Sequence, residues 1–332
     1  MAQRRARLEL PELERGVLAG ERAVLARAVT LIESSRPEDQ ARSDELLARI
    51  WPRTGRAHRV GVTGPPGVGK STLLDALGSM LLDRDLSVAV LAVDPSSRVS
   101  GGSILGDKTR MPRLAVHPRA FVRPSPSGGS LGGVARRTRE AMALCEAAAF
   151  DVVVVETVGV GQSETVVAEM VDTFVALVLP GSGDELQGIK KGVIELADVI
   201  AVNKADGGNL PRARETKTEH ESALRYLRPH VGGWSPPVLL VSGATGDGLE
   251  ELWKAITAHR ETLSSTGALE SLRRAQRGRW LWSMLEEQLL AELRRHPTVR
   301  KRLASIERAV MDGEIPATRG AEELLSAFRT AI

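Results

Sequence analysis

Apolar residues along this chain follow two different periods, and the middle of the chain alternates between them. Short, near-continuous runs of Val, Ile and Leu, typical of strands covered on both faces, occupy residues 60–63, 88–93, 121–123, 152–156, 173–179, 199–203 and 238–242. Residues 131–149, 212–227 and 249–262 instead carry apolar side chains at helical spacing. This alternation predicts an α/β fold with an open, doubly wound, mostly parallel sheet.

The two ends of the chain have a helical and more polar pattern. An apolar stripe runs through residues 8–32, Pro37 is expected to break it, and a further helix is predicted over residues 43–50. At the other end, a long amphipathic helix is predicted over residues 269–293, with shorter ones over 299–311 and 321–328. We therefore predict an N-terminal helical extension (1–56), a sheet domain (57–263) and a C-terminal helical arm (264–332).

Each extension has two interpretations. The N-terminal helices either pack on the main domain or form an arm that docks a partner. The C-terminal helices either pack on their own sheet or form a dimer interface, and Trp280 and Trp282 favour a homodimer because exposed aromatic side chains are enriched at interfaces.

Composition narrows the classes of protein to consider. A net charge of +3 and an aromatic content of 3% give no reason to expect a nucleic-acid or membrane partner. The single cysteine, Cys145, excludes an internal disulfide and disfavours a thiolate metal site. No apolar run reaches the length of a membrane span, and no secretory signal is recognisable. We expect a cytoplasmic protein.

The most informative segment follows the first predicted strand and fits the phosphate-binding pattern G-x-x-x-x-G-K-[ST]. It consists of Gly64, Pro65, Pro66, Gly67, Val68, Gly69, Lys70 and Ser71, followed by Thr72. Glycines let backbone N–H groups surround phosphate oxygens, and the helix that begins here adds the positive end of its dipole. Lys70 is expected to reach the β- and γ-phosphates, and the Ser71 hydroxyl to ligate Mg²⁺.

A second motif predicts which base is bound. Asn203, Lys204 and Asp206 match N-K-x-D directly after a predicted strand. A carboxylate at the fourth position accepts two hydrogen bonds from guanine that adenine cannot donate, so the expected nucleotide is GTP. Alternatively, Asp206 caps the next helix. A loop of Ser242, Gly243 and Ala244 lies where related domains contact guanine O6, although Ser-Ala is the more usual pair than Ser-Gly.

Three acids are candidates for the magnesium and water site. Glu156 ends a buried strand and is followed by Gly159, whose backbone N–H is expected to approach the γ-phosphate. Asp94 follows the second strand and Asp107 lies in the long loop after it, although Asp94 can also serve as a turn cap. No glutamine directly follows Gly159, so slow intrinsic hydrolysis is expected.

Together these motifs resemble the methylmalonyl-CoA mutase-associated GTPases, the MeaB/ArgK family. The longest matches read Gly-Gly-Ser-Ile-Leu-Gly-Asp-Lys-Thr-Arg at 101–110 and Glu-Thr-Val-Gly-Val-Gly-Gln-Ser-Glu at 156–164. Residues 64–72, 93–97, 183–191 and 203–206 match as well. The resemblance implies a homodimeric GTPase that chaperones an adenosylcobalamin-dependent acyl-CoA mutase, gating cofactor loading and protecting the mutase from inactivation. It also implies that Asp94, Asp107 and Glu156 lie near Mg²⁺ and the γ-phosphate, and that residues 184–191 form a switch that signals to the mutase.

Three alternatives remain open at the level of sequence. A nickel-insertion GTPase needs clustered Cys and His ligands, whereas the six histidines here are scattered. A small-molecule kinase, suggested by the older arginine-kinase naming of the family, needs an acceptor pocket for which no motif is visible. The third alternative is a nucleotide-dependent interaction module whose hydrolysis is incidental.

Overall fold

The computed structural model describes residues 8–34, 36–93, 110–124, 131–157, 163–181, 191–225 and 233–329. Within them, one seven-stranded sheet has the order β3-β2-β4-β1-β5-β6-β7, and each pair of neighbouring strands is parallel. The strands are β1 His58–Thr63, β2 Val88–Val93, β3 Ala120–Arg123, β4 Val152–Thr157, β5 Thr173–Val178, β6 Val199–Val202 and β7 Val238–Leu240. The predicted doubly wound parallel sheet is confirmed.

Helices cover both faces of the sheet. Those up to β7 are α1 Leu10–Leu18, α2 Arg22–Glu33, α3 Pro37–Ile50, α4 Lys70–Leu82, α5 Pro112–Val116, α6 Leu131–Ala147, α7 Ser163–Ala168, α8 Lys191–Leu196 and α9 Leu210–Leu224; α10 Leu249–Ser265 follows β7. Alternate residues of β4 serve opposite faces, with Val153 in one apolar core and Val154 in the other. Continuous Val runs are therefore required, because both faces of the strand are buried.

The N-terminal helices pack on one of these faces. Leu25 and Val29 of α2 are fully buried in the same core as Val153. α2 ends at Glu33, before Pro37, as predicted, but the predicted start of the next helix at Ser43 was wrong: Pro37 occupies the first turn of α3, which begins six residues earlier. A proline lacks only an N–H that the first helical turn does not use, so this position suits it.

The C-terminal residues form three helices, α11 Ala268–Arg295, α12 Pro297–Met311 and α13 Ala317–Arg329. Contacts divide the chain into two units, Met1–Gln276 and Arg277–Ile332, whereas the predicted arm boundary at residue 264 remains a prediction. In the second unit, the His296 and Phe328 rings meet edge to face at 5.2 Å. Along the described residues, no helix is both long enough and apolar enough to cross a membrane.

Candidate functional site

The predicted phosphate loop lies between β1 and α4, at the carboxyl end of a central strand. The described loop ends at Gly69, which has φ 93° and directly precedes the first residue of α4. The positive φ disfavours any side chain at this position. In addition, a Cβ on Gly69 would lie 2.8 Å from Asn203 Nδ2, so the amide would have to move. The strand–loop–helix context that the motif requires is therefore present.

Lys70 points back into this loop. Its Nζ donates to the carbonyl oxygens of Gly64 at 2.7 Å and Pro65 at 3.1 Å, and the side chain is buried. Burial lowers the pKa of Lys70, while the negative charges of Glu156 and Glu164 act in the opposite direction. The ammonium group thus lies inside the loop, in a position to donate hydrogen bonds to the oxygens of a bound polyphosphate.

Ser71 and Glu156 bring oxygen donors to the same end of the sheet. Ser71 Oγ donates to Glu156 Oε1 at 3.2 Å, and the carboxylate is buried. One residue further, Thr157 Oγ1 donates to Thr63 Oγ1 at 2.7 Å and joins the ends of β4 and β1. Hydroxyl and carboxylate oxygens are the ligands that Mg²⁺ prefers, so this pair fits a magnesium site. Asp94, Asp107, Gly159 and the predicted switch at 184–190 lie outside the described residues.

The predicted base-binding residues meet at the ends of β6 and β7. Asp206 Oδ2 accepts a hydrogen bond from Ser242 Oγ at 2.5 Å. Asp206 precedes the short 3₁₀ helix Gly207–Asn209, but its side chain forms no capping bond there. Lys204 is exposed with φ 61°, and Ala244 N donates to Ser242 Oγ at 3.3 Å. The Asp206 carboxylate is thus bound by the loop at Ser242 rather than by the short helix that follows Asp206.

The backbone of α4 explains why glycine, rather than the usual alanine, stands at position 243. A Cβ at this position would lie 2.7 Å from both the Cα and the N of Leu73, in the first turn of α4. Such a distance to backbone atoms requires the helix or the loop to shift. The loop at Ser242 therefore approaches α4 more closely than an alanine permits.

Two further features of the site were missed at the level of sequence. Glu164, in the first turn of α7, is buried, and its charge acts on Lys70; its only sequence signal was its place in the resemblance at 156–164. Asn203 was expected at the base, but its Nδ2 donates to Val68 O at 2.8 Å and its Oδ1 accepts from Gly243 N at 3.1 Å. It connects the phosphate loop to the loop of Ser242, Gly243 and Ala244, called here the base-side loop.

Metal ligands of the nickel-insertion type are not grouped in the part of the chain that the structure describes. No set of three or more His, Cys, Asp or Glu side chains there could hold a metal ion. Cys145 is buried, and burial raises the pKa of its thiol.

Comparison with known proteins shows which family the chain belongs to. The family model described as "Methylmalonyl Co-A mutase-associated GTPase MeaB" matches residues 25–298. The chain belongs to the MeaB family. A Caulobacter vibrioides protein named "Putative GTPase" is 54% identical, over 97% of this chain and 98% of its own length. "GTPase ArgK" of Escherichia coli is 52% identical over 86% of each chain.

A solved structure supports the fold of this MeaB-family chain. The crystal structure titled "LAO/AO transport system kinase" is 40% identical and covers 98% of this chain and 100% of its own, with a TM-score of 0.77. The family and its relatives identify the chain as a guanine-nucleotide-binding GTP hydrolase of the P-loop type.

Proposed function

We propose that this MeaB-family GTPase binds Mg²⁺ and GTP across the carboxyl ends of β1, β4, β6 and β7. The observation that carries the assignment is the buried Lys70 ammonium in the loop between β1 and α4, 2.7 Å from Gly64 O. Ser71 and Glu156 supply oxygen donors next to it. At the other end, Asp206 is positioned by Ser242 to accept two hydrogen bonds from guanine.

The chemistry of hydrolysis follows from positioning and charge. Water attacks the γ-phosphorus, the bond to the β–γ bridging oxygen breaks, and GDP and phosphate leave. Lys70 exchanges its bonds to Gly64 and Pro65 for phosphate oxygens and stabilises the charge that develops there. When bound, Mg²⁺ neutralises further charge; we assign Ser71, Asp94, Asp107 and Glu156 as the residues that would hold it, directly or through water.

The test of this site is the variant Lys70→Ala. Loss of the ammonium should abolish GTP hydrolysis or weaken nucleotide binding by at least an order of magnitude. The matched control is Lys254→Ala, which changes an exposed lysine on α10. Hydrolysis is measured as phosphate release from the pure protein with magnesium. Equal rates for wild type and Lys70→Ala would refute the assignment.

We also propose that the client is an adenosylcobalamin-dependent acyl-CoA mutase, whose cofactor loading the GTPase gates and which it protects from inactivation. The family description, "mutase-associated", supports this partner. Val160 stands where a water-orienting glutamine would follow Gly159. A GTPase without that glutamine benefits from a partner that orders its loops. The cytoplasmic location remains a prediction.

The partner experiment compares GTP hydrolysis alone and with purified methylmalonyl-CoA mutase. We expect stimulation that depends on the mutase and is absent with Lys70→Ala. The competing function is a small-molecule kinase, favoured by the name of the solved LAO/AO transport system kinase. A phosphorylated amino-acid acceptor, such as phosphoarginine, without any response to the mutase would support the kinase instead.

We further propose that the chain is a homodimer that pairs through α11. Five large apolar side chains on this helix are exposed: Leu281, Trp282, Leu285, Leu289 and Leu290. Residues 281, 285 and 289 are four positions apart and therefore share one face of the helix. An exposed apolar stripe of this kind is typical of an interface between subunits.

A further inference from the structure

A cavity lies at the amino ends of the strands, at the end of the sheet opposite the phosphate loop. It has a volume of about 560 Å³ and is lined by the first residues of β1 and β4, His58 and Val152, and by α10. Gly64 follows His58 by six residues, and each residue of a strand advances the chain by ~3.3 Å, so roughly 20 Å separate this cavity from Gly64. The cavity is therefore distinct from the proposed nucleotide site.

One face of α10 supplies much of the wall. Trp253, Thr257 and Arg260 line the cavity and follow one another at four and three positions, a spacing that places them on the same side of a helix. Trp253 is almost completely buried and leaves only 8% of its surface exposed. Leu86 and Phe150 add further apolar surface.

The arginines that line the cavity, Arg53, Arg56 and Arg260, outnumber the carboxylates in its lining. Arg260 is half-buried, and its Nη2 donates to the carbonyl oxygen of Arg56 at 3.0 Å. Arg53 and Arg56 also line the cavity, and both are exposed. Within the described ranges, none of these three guanidinium groups forms an ion pair. Burial lowers the pKa of Arg260, while the negative charges of Asp172 and Glu146 act in the opposite direction.

The two carboxylates in the wall are already engaged. Glu146 accepts from Arg59 Nε and Nη2, both at 2.8 Å, and from Gly55 N at 3.0 Å. Asp151 accepts from the Ser87 backbone at 2.8 Å and from its hydroxyl at 2.7 Å. The third titratable group, His58, has its pKa lowered to about 3 by burial and is neutral at pH 7. The side chains that line the cavity therefore carry more positive than negative charge.

We propose that this cavity binds a small organic anion, with a phosphate or carboxylate group on Arg56 and Arg260 and an apolar body against Trp253. A planar guanidinium matches such oxyanions with two parallel hydrogen bonds, which gives geometric selectivity. Arg53, at the end of the short helix Trp51–Arg53, adds a third positive charge at the rim. The site does not depend on the function proposed for the nucleotide loop.

The test uses 1-naphthyl phosphate as the probe, with the full-length chain saturated with Mg²⁺ and GDP. Binding is measured by fluorescence titration of the probe. We expect 1-naphthyl phosphate to bind at least tenfold more tightly than inorganic phosphate, measured by calorimetry, because the naphthyl ring buries apolar surface. We expect 1-naphthol, which lacks the charge, to bind at least tenfold more weakly than its phosphate ester.

Variants then locate the site. Arg260→Gln and the double variant Arg53→Gln/Arg56→Gln should each weaken probe binding about tenfold or more. The control Arg113→Gln changes an exposed arginine on α5, away from the cavity, and should leave it unchanged. Unchanged GDP affinity shows that each variant is folded. The proposal is overturned if wild type fails to bind the probe, or if both cavity variants bind it as wild type does.

Discussion

At the scale of single residues, the base-side loop shows how one position is dictated by a distant backbone. Gly243 lies in a loop after β7, yet the atoms it must avoid belong to Leu73 in α4. The sequence showed that the position departs from the usual alanine but not why. The reason depends on a distance between two segments about 170 residues apart, which no local pattern contains.

Gly243→Ala should therefore destabilise the protein. The added Cβ forces backbone atoms apart, and overpacking of this kind costs about 1–3 kcal/mol. The loss is measured by urea unfolding. Gly208→Ala is the control, because a Cβ there meets nothing within 4 Å. Equal stability of wild type and Gly243→Ala would show that the close approach is relieved at no cost.

Asp206→Asn should reduce the preference for GTP over ATP. The variant replaces a carboxylate that accepts two hydrogen bonds with an amide that accepts from only one side, so guanine loses about 1–3 kcal/mol of binding. Competition between GTP and ATP for the protein measures the ratio. The control is Asp247→Asn, which alters an exposed aspartate in the next turn of the chain. An unchanged ratio in Asp206→Asn would contradict the proposed role.

At the scale of elements, the strands were predicted well because each is a local run of apolar residues. The predicted ends differ from the observed ones by two residues or fewer, and Asn203 and Ser242 lie just beyond the strands rather than inside them. The start of α3 was not predicted correctly because a proline can either follow the end of one helix or occupy the first turn of the next. The cavity was missed because Arg53, Arg56 and Arg260 come together only through packing.

The elements β1, β5 and α10 also share a buried polar chain. His58 Nε2 lies 3.1 Å from Thr173 Oγ1, which lies 2.9 Å from His259 Nδ1. The far side of the His259 ring is 3.4 Å from Asp198 Oδ1. His58 is neutral at pH 7 because burial lowers its pKa to about 3.

This buried histidine predicts how stability depends on pH. In the unfolded chain a histidine has a pKa of about 6.5, so as the pH falls below that value the unfolded state binds a proton that the folded state does not. Stability should therefore fall between pH 6.5 and pH 3, by up to ~1.4 kcal/mol per pH unit from this residue. The contribution is fully present above pH 6.5.

The measurement compares the unfolding free energy of wild type and His58→Gln at pH 7.5, 6.0 and 5.0. The variant should lose about 2 kcal/mol less than wild type between pH 7.5 and pH 5.0. Parallel curves for wild type and His58→Gln would show that another group is responsible.

At the scale of the whole molecule, the C-terminal unit presents the exposed apolar stripe on α11. Replacing Trp282 and Leu289 with glutamate places charges in the proposed interface, where each would be desolvated on pairing. We expect the double variant to be monomeric by light scattering at a concentration at which wild type is dimeric. The control Val116→Glu changes an apolar residue that is 79% exposed on α5. A monomeric wild type, or a variant that stays dimeric, would refute the proposal.

Asn203 connects the phosphate loop with the base-side loop. One amide group fastens the carbonyl of Val68 on one side and the N–H of Gly243 on the other. If the nucleotide binds as proposed, both of its ends contact loops that this amide connects, so ordering one loop helps to order the other. A bare tripolyphosphate and free guanosine should each bind far more weakly than their separate contributions to GTP binding imply. GTP should bind more tightly than the two fragments together predict, because the Asn203 amide couples the two loops.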